Sequence, residues 1–153
     1  MKKSIFLVLF ACLFSVSAAF ANESNGLITL KSNYSVKETL NRLESILKKK
    51  GITVALHWSH SDRGNAVGIP LRPTELLIFG NPKLGTYMFT SNQTAGIDFP
   101  MKALVWQDEK GQVWYTYNDP GYIAKRHGIT NRAEVVKKMT EAMKKFAAFA
   151  TGN

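Results

Sequence analysis

The sequence predicts an α+β domain in which a small antiparallel sheet carries two long helices on one face. Two segments have apolar residues at helical spacing, and between them lie short runs rich in β-branched and aromatic residues. One pair of these runs flanks a turn, as in a hairpin. The chain of 153 residues is long enough for one domain, and its 45% hydrophobic and 20% charged residues are typical of a globular protein.

The first 21 residues have the pattern of a signal peptide. Lys2 and Lys3 precede the apolar run Ile5–Phe14, and Ala19–Ala21 resembles a cleavage site. The run is shorter than the roughly 20 residues that a membrane span needs, so we expect no stable membrane span. We therefore expect cleavage near Ala21 and a periplasmic or secreted chain of residues 22–153.

The composition of this mature chain limits its chemistry. Cys12 is the only cysteine, so cleavage leaves no thiol, no disulfide and no cysteine ligand. The net charge of +9 falls to +7 without the two signal lysines. Lysines near predicted helix ends account for much of this excess, and an exported protein rarely meets nucleic acid, so we expect no nucleic-acid partner.

The first half of the mature chain predicts a strand, a helix and two more strands. Leu27–Ser32 alternates as a strand, and Ser35 with Glu38 forms a capping box that begins a helix over Val36–Lys50. Ile52–Trp58 alternates again, which predicts a strand with Ile52, Val54, Leu56 and Trp58 facing inward. Residues 59–73 have no sustained period and predict a long loop. The apolar run Thr74–Phe79 predicts a central strand buried on both faces.

The second half predicts a hairpin between helices. Asn81 and Pro82 begin a short helix that runs to Asn92. Lys102–Gln107 and Gln112–Tyr117 form the hairpin, and a short helical turn covers Tyr122–His127. Asn131 caps the last helix, whose apolar stripe consists of Val135, Val136, Met139, Met143, Phe146 and Phe149.

No strong catalytic motif is present, and the candidate site rests on two strand ends. Asn81 and Lys83 begin a helix whose first amides and positive dipole end suit an anion, or simply start the helix. Asn118 and Asp119 follow another strand, with Tyr122 and His127 beyond. Asp119 either orients a histidine or closes a local turn.

Several segments resemble one family in order along the chain. Residues 71–86, 98–106, 117–120 and 126–128 resemble the hallmark of the bacterial and archaeal domain-of-unknown-function family 302. The resemblance runs from about Leu27 to Phe149 and implies a single domain over residues 22–153 with a two-layer fold like that of TATA-binding protein. It implies no settled activity. The polar positions that it marks are His60, Arg72, Asn81, Asn118, Asp119 and His127.

The leading hypothesis is an exported, non-catalytic domain that binds a small anionic or amphipathic ligand in one pocket. The residues expected to converge there are His60, Arg72, Asn81, Lys83, Asn118, Asp119, Tyr122 and His127. The alternative is a haem- or metal-binding periplasmic stress protein that uses His60 or His127 as ligand, and a hydrolase with Asp119 and His127 as a base pair comes third. The cofactor is left unknown. A homodimer formed through the last helix or the hairpin is compatible with all three.

Overall fold

The computed structural model describes residues 25–153, so the predicted signal peptide lies outside the described residues. Five strands form one antiparallel sheet in the order β1-β5-β4-β3-β2. The α+β prediction is confirmed. The strands are β1 (Leu27–Lys31), β2 (Thr53–Ser59), β3 (Thr74–Gly80), β4 (Met101–Gln107) and β5 (Val113–Asn118). The α-helices are α1 (Val36–Lys49), α2 (His60–Ala66), α3 (Pro82–Ser91), α4 (Pro120–Arg126) and α5 (Ala133–Thr151), and a 3-10 helix covers Gln93–Ile97.

The two faces of the sheet differ because successive side chains of a strand alternate between them. One face packs against α1 and α5, and its side chains are almost fully buried: Leu77, Phe79, Ala103, Val105, Val113, Tyr115 and Tyr117. We call the opposite side the open face. Its large apolar side chains are only partly buried or exposed: Leu56, Trp58, Leu76, Ile78, Leu104, Trp106 and Trp114. The prediction that Thr74–Phe79 is buried on both faces is therefore wrong.

Strand β2 lies at an edge of the sheet, and this position changes its predicted pattern. Its pairing with β3 is irregular between Val54 and Leu56, where a bulge shifts the register. Leu56 and Trp58 lie on the open face, opposite Ile78 and Leu76, so the prediction that they face the core is wrong. Val54 lies opposite the buried Phe79 but is still 38% exposed. An edge strand has a neighbouring strand on one side only, so its side chains are less covered than those of a central strand.

The segment predicted as a long loop contains the helix α2. The Ser59 hydroxyl accepts a hydrogen bond from the Asp62 amide at 3.0 Å and so caps the helix. In contrast, the capping box of α1 is at the predicted position, with the Glu38 amide donating to Ser35 Oγ at 3.2 Å. Arg132, rather than Asn131, occupies the N-cap of α5 and makes no side-chain cap bond.

The two ends of the sheet carry different loops. At the first, the Gly80 end, β3 and β5 finish and lead into α3 and α4. At the second, the Thr74 end, β3 and β5 begin, and β2 leads into α2. A strand of seven residues rises about 3.3 Å per residue, so the two ends lie roughly 20 Å apart. This separation decides which predicted site residues meet.

Candidate functional site

The most developed site is an apolar cavity of about 520 Å³ at the Gly80 end. Its floor is formed by Phe79 and Met101 of β3 and β4, and one wall by α5. Helix α3 and the segment after it form the other wall. The lining residues are Ile52, Thr53, Ala55, Phe79, Gly80, Asn81, Pro82, Leu84, Gly85, Thr86, Phe89, Gly96, Phe99, Pro100, Met101, Met139, Ala142, Met143 and Phe146.

Aromatic contacts set the shape of the cavity. Phe79 and Phe146 meet edge to face with centroids 6.3 Å apart and tie the sheet to α5. Phe89 and Phe99 meet in the same way at 5.6 Å and tie α3 to the chain before β4. Because hydrocarbon side chains dominate the lining, the cavity favours an apolar ligand body over a small hydrated ion.

The turn that leads into α3 brings the backbone close to the cavity. An added Cβ at Gly80 would lie 3.3 Å from Pro100 Cβ, so this close approach favours glycine. The Lys83 amide donates to Asn81 Oδ1 at 2.9 Å, and the Leu84 and Gly85 amides donate to the Asn81 carbonyl at 3.1 Å. These amides are therefore engaged, and the start of α3 does not offer them to the anion predicted there.

Two of the predicted site residues lie at the Thr74 end, away from this cavity. His60 begins α2 and is exposed, and Arg72 Nε donates to the Gln107 carbonyl at 3.2 Å. Asn81 and Lys83 lie at the Gly80 end. The eight predicted residues therefore do not share one cavity, and Asn81 is the only one of them among its lining residues.

A second groove, of about 680 Å³ at the Thr74 end, has its own polar cluster, centred on Glu75. His57 Nε2 lies 3.1 Å from Glu75 Oε2, while His57 Nδ1 lies 3.7 Å from Glu44 Oε1. The hydroxyls of Ser59 and Ser61 donate to Glu75 Oε1 at 3.0 and 3.3 Å. The polar atoms of this cluster already bond one another, which fits a structural tie between β2, β3 and α2.

The residues after β5 are engaged in local contacts. Asp119 Oδ1 accepts from the Gly121 amide at 3.0 Å, which is the local turn considered above. Asn118 is the last residue of β5 and lies opposite Leu27 of β1. The Tyr122 ring lies against Gly26, where an added Cβ would come within 2.3 Å of it. Burial raises the pKa of the neighbouring Tyr117 hydroxyl, and the charge of Asp119 adds to this effect.

His127 pairs with Asp98, so the predicted pairing with Asp119 is wrong. His127 Nε2 lies 2.7 Å from Asp98 Oδ2, and Nδ1 lies 2.9 Å from Thr94 Oγ1. The Arg126 guanidinium also contacts Asp98, at 3.3 Å. Since both ring nitrogens are engaged and the side chain is 8% exposed, His127 fastens the 3-10 helix to the end of α4. Sequence reasoning missed Asp98 because a single carboxylate far along the chain gives no periodic signal.

The described residues carry neither a metal centre nor a spanning helix. Within residues 25–153, no three His, Cys, Asp or Glu side chains are grouped so as to hold a metal ion. No helix in the same range has the length and apolar character needed to cross a membrane.

A sheet with its long helices on one face and an apolar cavity at one end defines a two-layer α+β domain. The family model described as "Domain of unknown function DUF302" matches residues 28–146. The chain belongs to this family, as the sequence resemblance indicated. A solved structure, the uncharacterized conserved protein DUF302 from Bacillus stearothermophilus, is similar with a TM-score of 0.67 and 21% identity. It covers 84% of this chain and 98% of its own, and the likeness shows the shared fold.

Two curated relatives are similar in sequence across most of the chain. Fluoride-specific ion channel FluC 1 of Brucella suis biovar 1 is 38% identical over 130 residues, covering 84% of this chain and 51% of its own length. FluC 2 of Brucella melitensis biotype 1 is 38% identical over the same length, covering 48% of its own. The chain therefore spans about half the length of the curated relatives it matches.

Proposed function

We propose that this protein is an exported, non-catalytic domain that binds a small amphipathic molecule. The apolar cavity at the Gly80 end carries this proposal. Its volume of about 520 Å³ lies within the range typical of small-molecule sites, which is roughly 300–1,000 Å³. An apolar ligand body would gain about 25 cal/mol for each Å² that it buries there.

The polar end of the ligand would lie at the mouth of the cavity. Thr53, Asn81 and Thr86 are the polar residues of its lining, and the exposed Lys83 follows Asn81 in the first turn of α3. A carboxylate or phosphate near Lys83 would gain a modest, salt-sensitive attraction. The ligand class that fits is thus a short hydrocarbon with one polar or anionic end.

The curated relatives are named for fluoride, but the lining of this cavity does not suit that ion. A fluoride ion needs donors or cations around it, whereas the cavity is lined mostly by hydrocarbon. The relatives carry that name as whole proteins, of which the chain matches about half.

Thermal unfolding with a matched pair of probes tests the binding proposal. We expect sodium octanoate and 1-octanol, each at about 1 mM, to raise the Tm of the purified protein, because a ligand that binds only the folded state stabilises it. Sodium fluoride should leave the Tm unchanged. Octanoate should act more strongly than octanol, and Lys83→Ala should reduce this difference.

Two variants of α5 provide the controls. Ala142→Phe places a ring in the cavity and should abolish both shifts, whereas Glu141→Phe puts the same ring on an exposed position and should keep them. Arg72→Ala, at the Thr74 end, should also keep them. Binding that survives Ala142→Phe, or no shift with either probe, would overturn the proposal.

Export is tested separately. The signal-peptide pattern of residues 1–21 supports it, and the mature protein isolated from the periplasm or medium should begin at Asn22. Edman sequencing or intact mass measures this directly. A cytoplasmic protein that retains Lys2 and Lys3 would refute export and leave the cavity proposal standing.

A further inference from the structure

Exposed lysines flank the segments that line the cavity at the Gly80 end. Lys83 stands between two lining residues in the first turn of α3. On α5, Lys138 and Lys145 lie four residues before and three residues after the lining residue Ala142, so all three share one side of the helix. These lysines therefore border the mouth of the cavity.

A second group of lysines ends α1 beside another lining residue. Lys48–Lys50 are exposed in the last turn of α1 and directly after it. The Ile52 amide donates to the Leu47 carbonyl at 2.9 Å, and Gly51 between them has a φ of 64°, so the chain turns sharply there. This turn holds the three lysines next to Ile52, which lines the cavity. We call the whole set the lysine rim, and it consists of Lys48–Lys50, Lys83, Lys138 and Lys145.

The charges of the lysine rim are not neutralised by nearby carboxylates. Within residues 25–153, none of the rim lysines forms an ion pair. Asp98, next to the lining residue Phe99, is already paired with Arg126 and His127. Glu141 lies on the outer part of α5 and offsets one of the six rim charges. The mouth of the cavity is therefore positively charged.

The opposite end of the sheet has a different balance of charge. Asp62 and Glu75 line the second groove at the Thr74 end, and Asp108 and Glu109 follow the last residue of β4 there. These carboxylates balance the basic residues of that end. A molecule with one strongly positive end is oriented by the field of a negatively charged surface, with the positive end inward. The mouth of the cavity would face such a surface.

We propose that the lysine rim docks the mouth of the cavity on an anionic phospholipid bilayer, and that the ligand is an acyl lipid of that bilayer. This inference rests on the proposed binding of an amphipathic molecule in the cavity. One or two lysines can reach a single carboxylate or phosphate, whereas the rim spans three helices, and packed helices have axes about 8–10 Å apart. The rim thus matches an array of anionic headgroups, and the apolar cavity behind it matches an acyl chain.

Sedimentation with mixed vesicles of phosphatidylglycerol and phosphatidylcholine tests the docking. Each lysine near an anionic bilayer contributes about fivefold to binding, so Lys138→Gln with Lys145→Gln should weaken binding about 25-fold. Lys37→Gln with Lys110→Gln removes the same charge from exposed positions at the Thr74 end and should keep the binding of the wild type. Raising NaCl from about 0.1 M to about 1 M shortens the screening length from about 10 Å to about 3 Å and should release the wild type.

A second pair of measurements separates the docking from the cavity. Ala142→Phe should still sediment with the mixed vesicles but lose the Tm shift with 1-octanol, and Lys138→Gln with Lys145→Gln should do the reverse. Uptake of pyrene-labelled phosphatidylglycerol from vesicles, measured as loss of excimer emission, should require both the rim and the cavity. Circular dichroism checks that each variant is folded.

The outcomes distinguish the two parts of the inference. No binding to the mixed vesicles at about 0.1 M NaCl, equal binding to pure phosphatidylcholine, or full binding by the Lys138→Gln, Lys145→Gln protein would overturn the docking. Tighter binding to a DNA duplex than to the vesicles would also overturn it, because the rim would then serve a nucleic acid. Docking without uptake of the labelled lipid would overturn the acyl lipid as ligand.

Discussion

The Tyr115 hydroxyl gives a sharp test of the core, because deleting it should stabilise the protein. Tyr115 is fully buried on β5 and its ring packs edge to face on Tyr117 at 5.9 Å. Its oxygen has no hydrogen-bond partner among residues 25–153. A buried hydroxyl without a partner costs about 1–3 kcal/mol, while the lost oxygen leaves only a small void. Tyr115→Phe should therefore raise the free energy of unfolding by about 1 kcal/mol at pH 7.

The same burial makes the effect grow at high pH. Desolvation raises the pKa of the Tyr115 hydroxyl well above 10, so the folded protein keeps this proton while the unfolded chain loses it. Below pH 10 this ionisation does not affect the free energy of unfolding of the wild type. Above pH 10 it lowers that free energy by about 1.4 kcal/mol per pH unit. The advantage of Tyr115→Phe should thus widen to roughly 2.4 kcal/mol at pH 11.

Urea denaturation at pH 7 and pH 11, followed by tryptophan fluorescence, measures both differences. Tyr87→Phe is the control, since Tyr87 is 53% exposed and the change should stay within about 0.5 kcal/mol at pH 7. A Tyr115→Phe protein that is less stable than wild type at pH 7 would refute the reasoning, because the hydroxyl would then have a partner such as a buried water. An equal difference at both pH values would refute the account of its ionisation.

Three further changes test the elements around the sheet. Thr39→Val removes the acceptor, at 2.7 Å, of the buried Ser32 hydroxyl proton, while the Tyr34 amide still donates to that hydroxyl at 3.2 Å. The change should lower the free energy of unfolding by about 1–2 kcal/mol in urea. Adding Ser32→Ala should recover part of this loss, and strict additivity would contradict the coupling. The hydrogen bond from the Trp114 indole lowers the pKa of Asp108. The ionised Asp108 therefore stabilises the folded protein above about pH 4, and this stabilisation is lost as the pH falls through the lowered pKa. In urea unfolding between about pH 2 and pH 6, the free energy of unfolding of Asp108→Asn should fall less at low pH than that of the wild type. Gly85→Ala should raise the Tm measured by calorimetry, since Gly inside a helix costs about 1 kcal/mol relative to Ala; a lowered Tm would mean that the added methyl strains α3.

The elements predicted well from the sequence are those whose signals are local. The helix that begins after Ser35 has its cap, its apolar stripe and its terminal lysines within one continuous segment. The hairpin of β4 and β5 likewise carries its turn between two alternating runs. Helix α2 was missed because His60–Ala66 has no apolar stripe, and only the Ser59 cap marks its start.

The candidate site depends on which strand ends lie together in the sheet, and local sequence patterns do not show this. His60 and Asn81 both lie just beyond strand ends, but their strands β2 and β3 run antiparallel, so the C-terminal ends point in opposite directions. Loops that follow adjacent antiparallel strands therefore lie at opposite ends of the sheet. The residues after β5 fail for another reason. Strand β5 runs parallel to β3 and ends at the same edge, but Asp119 and His127 are engaged in local contacts and do not line the cavity.

The sequence does not predict the cavity, for a different reason. Met139, Met143 and Phe146 have the spacing of an ordinary core stripe, and nothing in that spacing says that part of it faces a void. The cavity lies between α3 and α5, and Gly80, Gly85 and Gly96 are among its lining residues. Small residues at the border of a large apolar stripe are a signal that could have suggested a cavity.

The cavity and the open face lie on opposite sides of β3. Phe79 of β3 lines the cavity, while the adjacent Ile78 lies on the open face, because neighbouring side chains point to opposite sides. Ala142→Phe should therefore abolish octanoate binding, whereas Leu104→Glu, on the opposite side of the sheet, should leave binding intact. A Leu104→Glu protein that is folded but no longer binds octanoate would contradict this separation, because the strands between the two faces would then have to shift as one unit.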